Sequence, residues 1–233
     1  DAPGYVCVSD SVHLLAGLNF SDVYVDEAHH PLPAVLPSYE HMYRFSATHV
    51  DDPDFQYPLG EAIEDGILCD YDVVIPIVTD GKAAACLAHM LLRGAGQFRR
   101  VLAYCNSIEE ATRFRDLALD LGLAAWHMNG ETRPSERQRI LDAFSGPLQR
   151  PAHVLVTVQV IGEGVDIPCA DTCLFVEPRQ SYVSIVQAVG RTLRLHPSKP
   201  LAHVILPAVT TDYMPACVGI PKRRQGTGPP QMR

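Results

Sequence analysis

The chain has 233 residues, of which 47% are hydrophobic and 20% charged, with 19 prolines and 16 glycines. That length exceeds the usual single domain and that composition excludes a disordered or fibrous protein, so one complete domain plus a smaller or partial one is expected. A net charge of −8 excludes a protein that coats nucleic acid over its whole surface, while leaving room for a local basic groove.

Apolar, β-branched runs alternate with helical patterns from end to end, which is the rhythm of a parallel sheet covered by helices, and an α/β fold is predicted. Residues 1–10 lack the basic and apolar regions of a signal peptide and residue 1 is not Met, so the chain reads as starting inside a longer protein. A short helix is expected over 11–15, then strands over 23–25 and 43–45. The stretch 51–66 is acidic, carries prolines and glycines and has no clean period; it reads as the connection between two units, with the boundary near residue 66. Beyond it the spacing predicts strands over 73–78, 101–104, 124–128, 154–158, 172–176 and 203–206, most of them apolar on both faces as buried parallel strands are. Helices are predicted over 82–92, 108–121, 134–144 and 182–192; Ser107 with Glu110 forms a capping box for the second of these and Pro134 suits the first turn of the third. The tail 210–233, rich in proline and glycine with Lys222-Arg223-Arg224, has a composition that cannot bury enough apolar surface to order itself.

Seven cysteines lie mostly within apolar stretches and none forms a C-x-x-C pair, so buried reduced thiols are expected rather than a zinc or redox site. Such usage suits a reducing intracellular compartment. No apolar run approaches the ~18 residues needed to span a bilayer, and a soluble protein with no membrane partner is expected.

Tyr24-Val25-Asp26-Glu27-Ala28-His29 puts two adjacent carboxylates at the end of an apolar strand, where parallel-sheet proteins present catalytic groups. One carboxylate can hold Mg²⁺, usually through water because that ion dehydrates reluctantly, while the next orients or deprotonates an attacking water. Hydrolysis of a nucleotide phosphate needs both. Alone, the tetrapeptide reads equally as a solvated strand end. In the motif 187–194, Gln187, Arg191 and Arg194 stand at i, i+4 and i+7, a spacing that on a helix gives them one face. Two guanidiniums pointing the same way make a site for the spread negative charge of a transferring phosphoryl group; alone, they read as a solvated helix face.

Further patterns follow in order: Ser46-Ala47-Thr48 after the second strand, the segments 101–107 and 154–168, and Gln187-Ala188-Val189-Gly190-Arg191-Thr192-Leu193-Arg194. Together with the Asp-Glu-Ala-His box, these resemble the superfamily 2 DEAD/DEAH-box helicases over residues 1–209. The resemblance is to the DEAH type rather than to the RNA-acting DEAD-box branch, whose final motif usually begins with His where this chain has Gln187.

The resemblance implies RecA-like parallel sheets with helices on both faces: a partial first domain over 1–66, a complete second domain over 67–209, and the tail. It implies that Asp26 coordinates Mg²⁺, that Glu27 activates water, and that Ser46 and Thr48 couple hydrolysis to domain movement. In the loop 162–168, Gly164 would permit close backbone approach and Asp166 would contact the ribose of ATP. Gln187, Arg191 and Arg194 would reach the phosphates, while Thr157 and, on a looser match, Gly130 would lie beside bound nucleic acid, with DNA favoured over RNA.

The activity implied is an ATP-dependent helicase or translocase in which two domains close on nucleotide and strand and reopen after hydrolysis. The phosphate-loop pattern G-x-x-x-x-G-K-[ST] fails at Pro76 and Ala83 around Gly81-Lys82, so that loop is expected upstream of residue 1 and the chain alone is expected to have weak or no ATPase. A non-catalytic module that binds nucleic acid or protein through 67–209 stays open beside it. His29 and His30 lack a partner pair at zinc-ligand spacing and are expected to make local polar contacts; Trp126 and Tyr104 are expected in the core.

Overall fold

The computed structural model describes residues 4–48, 52–78, 82–158, 167–178 and 181–209. In chain order it has a 3-10 helix (Ser9–Leu15), β1 (Asn19–Val25), β2 (Ser38–Arg44), α1 (Leu59–Glu64), β3 (Tyr71–Val74), β4 (Ile77–Val78), α2 (Ala83–Arg93) and β5 (Arg100–Tyr104). It continues through α3 (Ile108–Asp120), β6 (Ala124–Met128), α4 (Pro134–Ser145), β7 (His153–Thr157), β8 (Thr172–Phe175), α5 (Tyr182–Thr192), β9 (Ala202–Ile205) and β10 (Ala208–Val209).

Six strands form one sheet in the order β3-β9-β8-β5-β7-β6, every neighbouring pair parallel. Because side chains alternate across a strand, this sheet builds two cores at once. On one face Val101 and Ala103 of β5, Val154 and Val156 of β7 and Leu174 of β8 pack with Leu87 and Leu91 of α2 and Phe114 of α3. On the other, Leu102, Tyr104, Leu155 and Phe175 pack with Ile140 and Phe144 of α4 and Ala188 of α5. The expected α/β architecture, a RecA-like parallel sheet with helices on both faces, is the one observed.

Local signals set the helix ends. The Ser107 hydroxyl accepts from the Glu110 amide at 3.2 Å and donates to the Glu110 carboxylate at 2.9 Å, the capping box read from the sequence. At the other end of α3 the Gly122 amide donates to Leu119 and the Leu123 amide to Ala118, a closure that needs left-handed backbone at Gly122, where φ is +82°. Gly66 ends α1 the same way at φ +69°.

Several expectations are corrected. The stretch 51–66 is not wholly irregular: α1 lies within it, too short at 6 residues to display a period. The run 73–78 is not one strand. Pro76 has no amide to donate, and the chain divides there into β3 and the two-residue β4, which pairs with β10 apart from the main sheet. The first helix is 3-10 and begins at Ser9. β1 and β2 are parallel but largely exposed, unlike strands of the main sheet, because they form a two-stranded sheet. Buried thiols are found at Cys69, Cys105, Cys169 and Cys173, whereas Cys7 and Cys86 are exposed. Tyr104 is in the core as expected, and Trp126 is half-buried edge-on to Phe144. Among the described residues no helix is long and apolar enough to cross a membrane.

Phe114 is 1% exposed between α3 and the sheet, so Phe114→Ala is expected to cost about 3–5 kcal/mol in urea unfolding, as cavity-forming truncations do. The Glu110 carboxyl is held below its ordinary value, foremost by a hydrogen bond with the Glu177 carboxyl, against burial and helped by Ser107 and Arg113. A depressed carboxyl contributes stability above its unfolded pKa and loses it as pH falls through the folded one. Glu110→Gln is therefore expected to flatten the acid limb of the stability profile below about 4.5, read as urea midpoint against pH.

Candidate nucleotide and nucleic-acid site

The carboxylate box sits on a tight corner held by the neighbouring strand. Past the end of β1, the Phe45 amide donates to Val25 at 2.8 Å and the Ala28 amide donates to Phe45 at 2.9 Å, so the backbone bonding of the sheet closes around Asp26 and Glu27. Between those two bonds Glu27 adopts φ +50°, the one non-glycine residue with positive φ among the described residues. Left-handed backbone costs an L-residue ~1–2 kcal/mol and persists where its surroundings enforce it. Here the Asp26 carboxylate accepts from the Glu27 amide at 2.9 Å, and the Arg44 guanidinium donates to the Ala28 carbonyl at 3.0 Å.

His29 joins this corner to the Ser-Ala-Thr segment. Its Nδ1 lies 3.3 Å from a Glu27 carboxylate oxygen and 3.1 Å from the Ser46 hydroxyl. The Ser46 hydroxyl donates its own proton to the Thr48 carbonyl at 2.9 Å and accepts from the Thr48 amide at 3.1 Å. With that proton already committed, Nδ1 of His29 must be the donor toward Ser46, which selects the Nδ1-protonated ring. His29, expected only to make a local contact, thus links Glu27 to Ser46. Thr48 is buried and its hydroxyl has no hydrogen-bond partner among the described residues.

The arginine motif is carried by α5. The Ser181 hydroxyl caps its start by accepting from the Ser184 amide, and Ala188 and Thr192 anchor its buried face. Gln187 and Arg191 stand one turn apart on this helix. Arg194 does not share that helix face, as the spacing had suggested: the helix ends at Thr192 and Arg194 is extended, bridged to Leu68. The cause is local. Leu193 turns inward to pack with Cys69 and Ala202, and its carbonyl accepts from the Cys69 amide at 2.8 Å.

One cleft of about 2380 Å³ receives both sets of residues: Asp26, Glu27 and Ser46 from the ends of β1 and β2, and Gln187, Arg191 and Arg194 from α5 and its exit. Hard oxygen donors and guanidiniums line the same cleft, the carboxylates suited to Mg²⁺ and the guanidiniums to phosphate. Among the described residues no group of three or more His, Cys, Asp and Glu side chains gathers as a metal cage.

The other sequence candidates lie elsewhere. Thr157, at the end of β7, is 3% exposed and does not line the cleft; its carbonyl accepts from the Cys105 amide. Gly130 is exposed and a Cβ there would meet nothing within 4 Å, so no close approach within the chain requires glycine. Gly164 and Asp166 lie outside the described residues. Lys199, given no role by the sequence, is buried with all three ammonium protons donated to backbone carbonyls. Its signal was present only as a lysine between two prolines near the end of the motif.

Residues 82–196 match the family model of the helicase conserved C-terminal domain. Over 108 residues the chain is 32% identical to a protein of Schizosaccharomyces pombe provisionally named as the mitochondrial ATP-dependent helicase irc3, covering 46% of this chain and 17% of that one. Over 95 residues it is 30% identical to the ATP-dependent RNA helicase mak5 of Aspergillus niger, covering 41% of this chain and 12% of that one. The chain therefore spans less than a fifth of the length of either relative. Among solved structures it is similar to the ATP-dependent Type ISP restriction-modification enzyme LlaBIII bound to DNA, with a TM-score of 0.68 and 20% identity over 87% of this chain and 19% of that one. At that identity the likeness is one of fold.

The link between His29 and Ser46 is measurable without any ligand. In a double-mutant cycle of His29→Ala and Ser46→Ala, a coupling of about 0.5–1.5 kcal/mol in urea unfolding is expected, the size of one net hydrogen bond. Additive single effects would show that the two side chains do not interact in solution.

Proposed function

We propose that this chain, whose residues 82–196 match the helicase conserved C-terminal domain, is the rear part of an ATP-dependent nucleic-acid helicase or translocase of superfamily 2, which couples nucleotide hydrolysis to strand movement. The observation that supports this reading is that one cleft is lined both by Asp26 and Glu27 and by Gln187, Arg191 and Arg194.

Bound there, Mg²⁺ would be held by Asp26 and would neutralise phosphate charge. Glu27, beside it, orients and deprotonates the attacking water; its carboxylate is steadied by the His29 ring. Gln187 and the two arginines stabilise negative charge on the phosphates. Ser46 and Thr48 couple occupancy to domain movement through His29, since a shift of the Glu27 carboxylate is felt at Ser46 through one shared donor. By the resemblance, Asp166 would contact ribose and Gly164 would admit the nucleotide, both outside the described residues.

By the resemblance, Thr157 and Gly130 would lie beside a bound single strand; Thr157 is buried, so it would act there through the backbone and side chains that cover it. DNA is favoured over RNA because the arginine motif opens with Gln187. This sequence carries no G-x-x-x-x-G-K-[ST] cradle, so the chain by itself hydrolyses ATP slowly.

Thermal unfolding tests this reading, because a ligand bound only by the folded state must stabilise it, by ~2.7 kcal/mol at one hundred times its Kd. MgADP is expected to raise Tm, and Arg191→Ala to remove that shift. A single-stranded DNA oligonucleotide is expected to raise Tm more than RNA of equal length, less so at high salt. A shift with oligonucleotide but none with MgADP would favour the non-catalytic module, and turnover by the purified chain above ~1 per second would overturn the weak-ATPase reading.

A further inference from the structure

Lys199 is only 4% exposed, and its ammonium donates to the carbonyls of Pro168 at 2.9 Å, Ala170 at 2.9 Å and Thr192 at 2.7 Å. An ammonium has three protons and here all three are used. Taking such a charge out of water is unfavourable, and an apolar side chain of similar length would fill the space without that penalty. What the charge adds is a junction.

The Thr192 carbonyl is one of those that the end of α5 leaves without an intrahelical partner. Pro168 and Ala170 lead into β8. The next residue, Asp171, is buried and its carboxylate accepts from the Arg99 and Arg100 amides at 3.1 and 3.0 Å, which fastens that segment to the start of β5. Lys199 therefore ties the end of the arginine-bearing helix to a part of the chain anchored in the sheet.

We propose that Lys199 is a positioning residue, whose three bonds clamp the end of α5 to the segment entering β8 and so set where Gln187 and Arg191 stand in the cleft. The role in nucleotide binding rests on the function proposed above; the clamp itself does not.

The clamp has a pH signature. Burial holds the ammonium below its ordinary value of 10.5, opposed by the Cys69 thiol, the Asp171 carboxylate and the Cys169 thiol that face it. A neutral amine has two N–H groups for three carbonyls, so raising pH toward 10.5 removes one anchor. For a depressed lysine the unfolded state binds the extra proton in that window, so this group's own share of global stability rises with pH while the clamp loosens.

Hydrogen–deuterium exchange on the full chain tests the clamp. In Lys199→Met, peptides over 167–171 and 182–192 are expected to exchange about tenfold faster together, with β5 and β7 unchanged. Loosening of one segment alone, or an even rise across the sheet, would overturn the proposal. Binding of fluorescent mant-ADP supplies the second readout. Lys199→Met is expected to weaken it about fivefold or more, and the alkaline loss of affinity shown by the unsubstituted chain should be missing from the variant. Unchanged affinity with both segments loosened, or an identical alkaline step in both proteins, overturns the positioning role. If the unsubstituted chain binds no mant-ADP, the nucleotide reading of the cleft fails and exchange alone decides the clamp.

Discussion

A parallel strand covered on both faces has no side open to water, so a polar side chain on it must find its partner inside the protein, as His153 does at the Phe144 carbonyl and His203 at the Asp72 carboxylate, and the six-stranded sheet depends on that constraint. β5 lies between β7 and β8, and Val101, Leu102, Ala103 and Tyr104 are all fully buried. The interior of β5 is therefore given over to packing. Helices must cover both faces, α2 and α3 on one and α4 and α5 on the other, and polar chemistry is displaced to the strand ends and the loops beyond them. Asp26 and Glu27 also stand past the end of a parallel strand, although β1 belongs to the exposed two-stranded sheet.

The corner at Glu27 departs from local preference. A non-glycine residue with φ +50° is unfavourable by itself, yet two backbone bonds to Phe45 and Val25 and the Arg44 contact to Ala28 leave the chain little alternative. Strain held by a rigid frame keeps a carboxylate from relaxing away. The His29 ring then extends the corner to Ser46, so the two sequence motifs form one bonded unit although 17 positions separate His29 from Ser46.

The cleft is less acidic than the chain as a whole, with Arg44, Arg191 and Arg194 matching the carboxylates of Asp22, Asp26 and Glu27 along its lining. The chain carries a net −8, but Arg191 and Arg194 bring guanidiniums into the cleft that also holds the carboxylates of Asp26 and Glu27. Opposed charges across a concave surface suit a ligand that is itself both anionic and metal-bearing, as a nucleotide phosphate is. The placement of Arg191 depends on the end of α5, where the inward turn of Leu193 and the buried Lys199 ammonium meet.

Much was legible in the residues themselves. Ala124–Met128 and Tyr182–Thr192 were bounded as read, and the Ser107 and Glu110 cap formed, because apolar period and capping are properties of neighbours along the chain. The order of the motifs, from the Asp-Glu-Ala-His box to the arginine motif, was equally readable. Other features answer to contacts distant in sequence and had no local signal. Arg194 left the helix face because Leu193 found Cys69 and Ala202; β4 separated from β3 at Pro76 and paired with β10; His29 acquired a role only when Ser46 came beside it. Lys199 is the clearest instance, for a lysine between prolines looks like a surface residue until three carbonyls from two segments converge on it. Sequence determined which side chains were available and which stretches were helix or strand, since those follow from short-range sterics and hydrophobic period. Tertiary structure decided which of them meet, because that depends on long-range pairing that no local window contains.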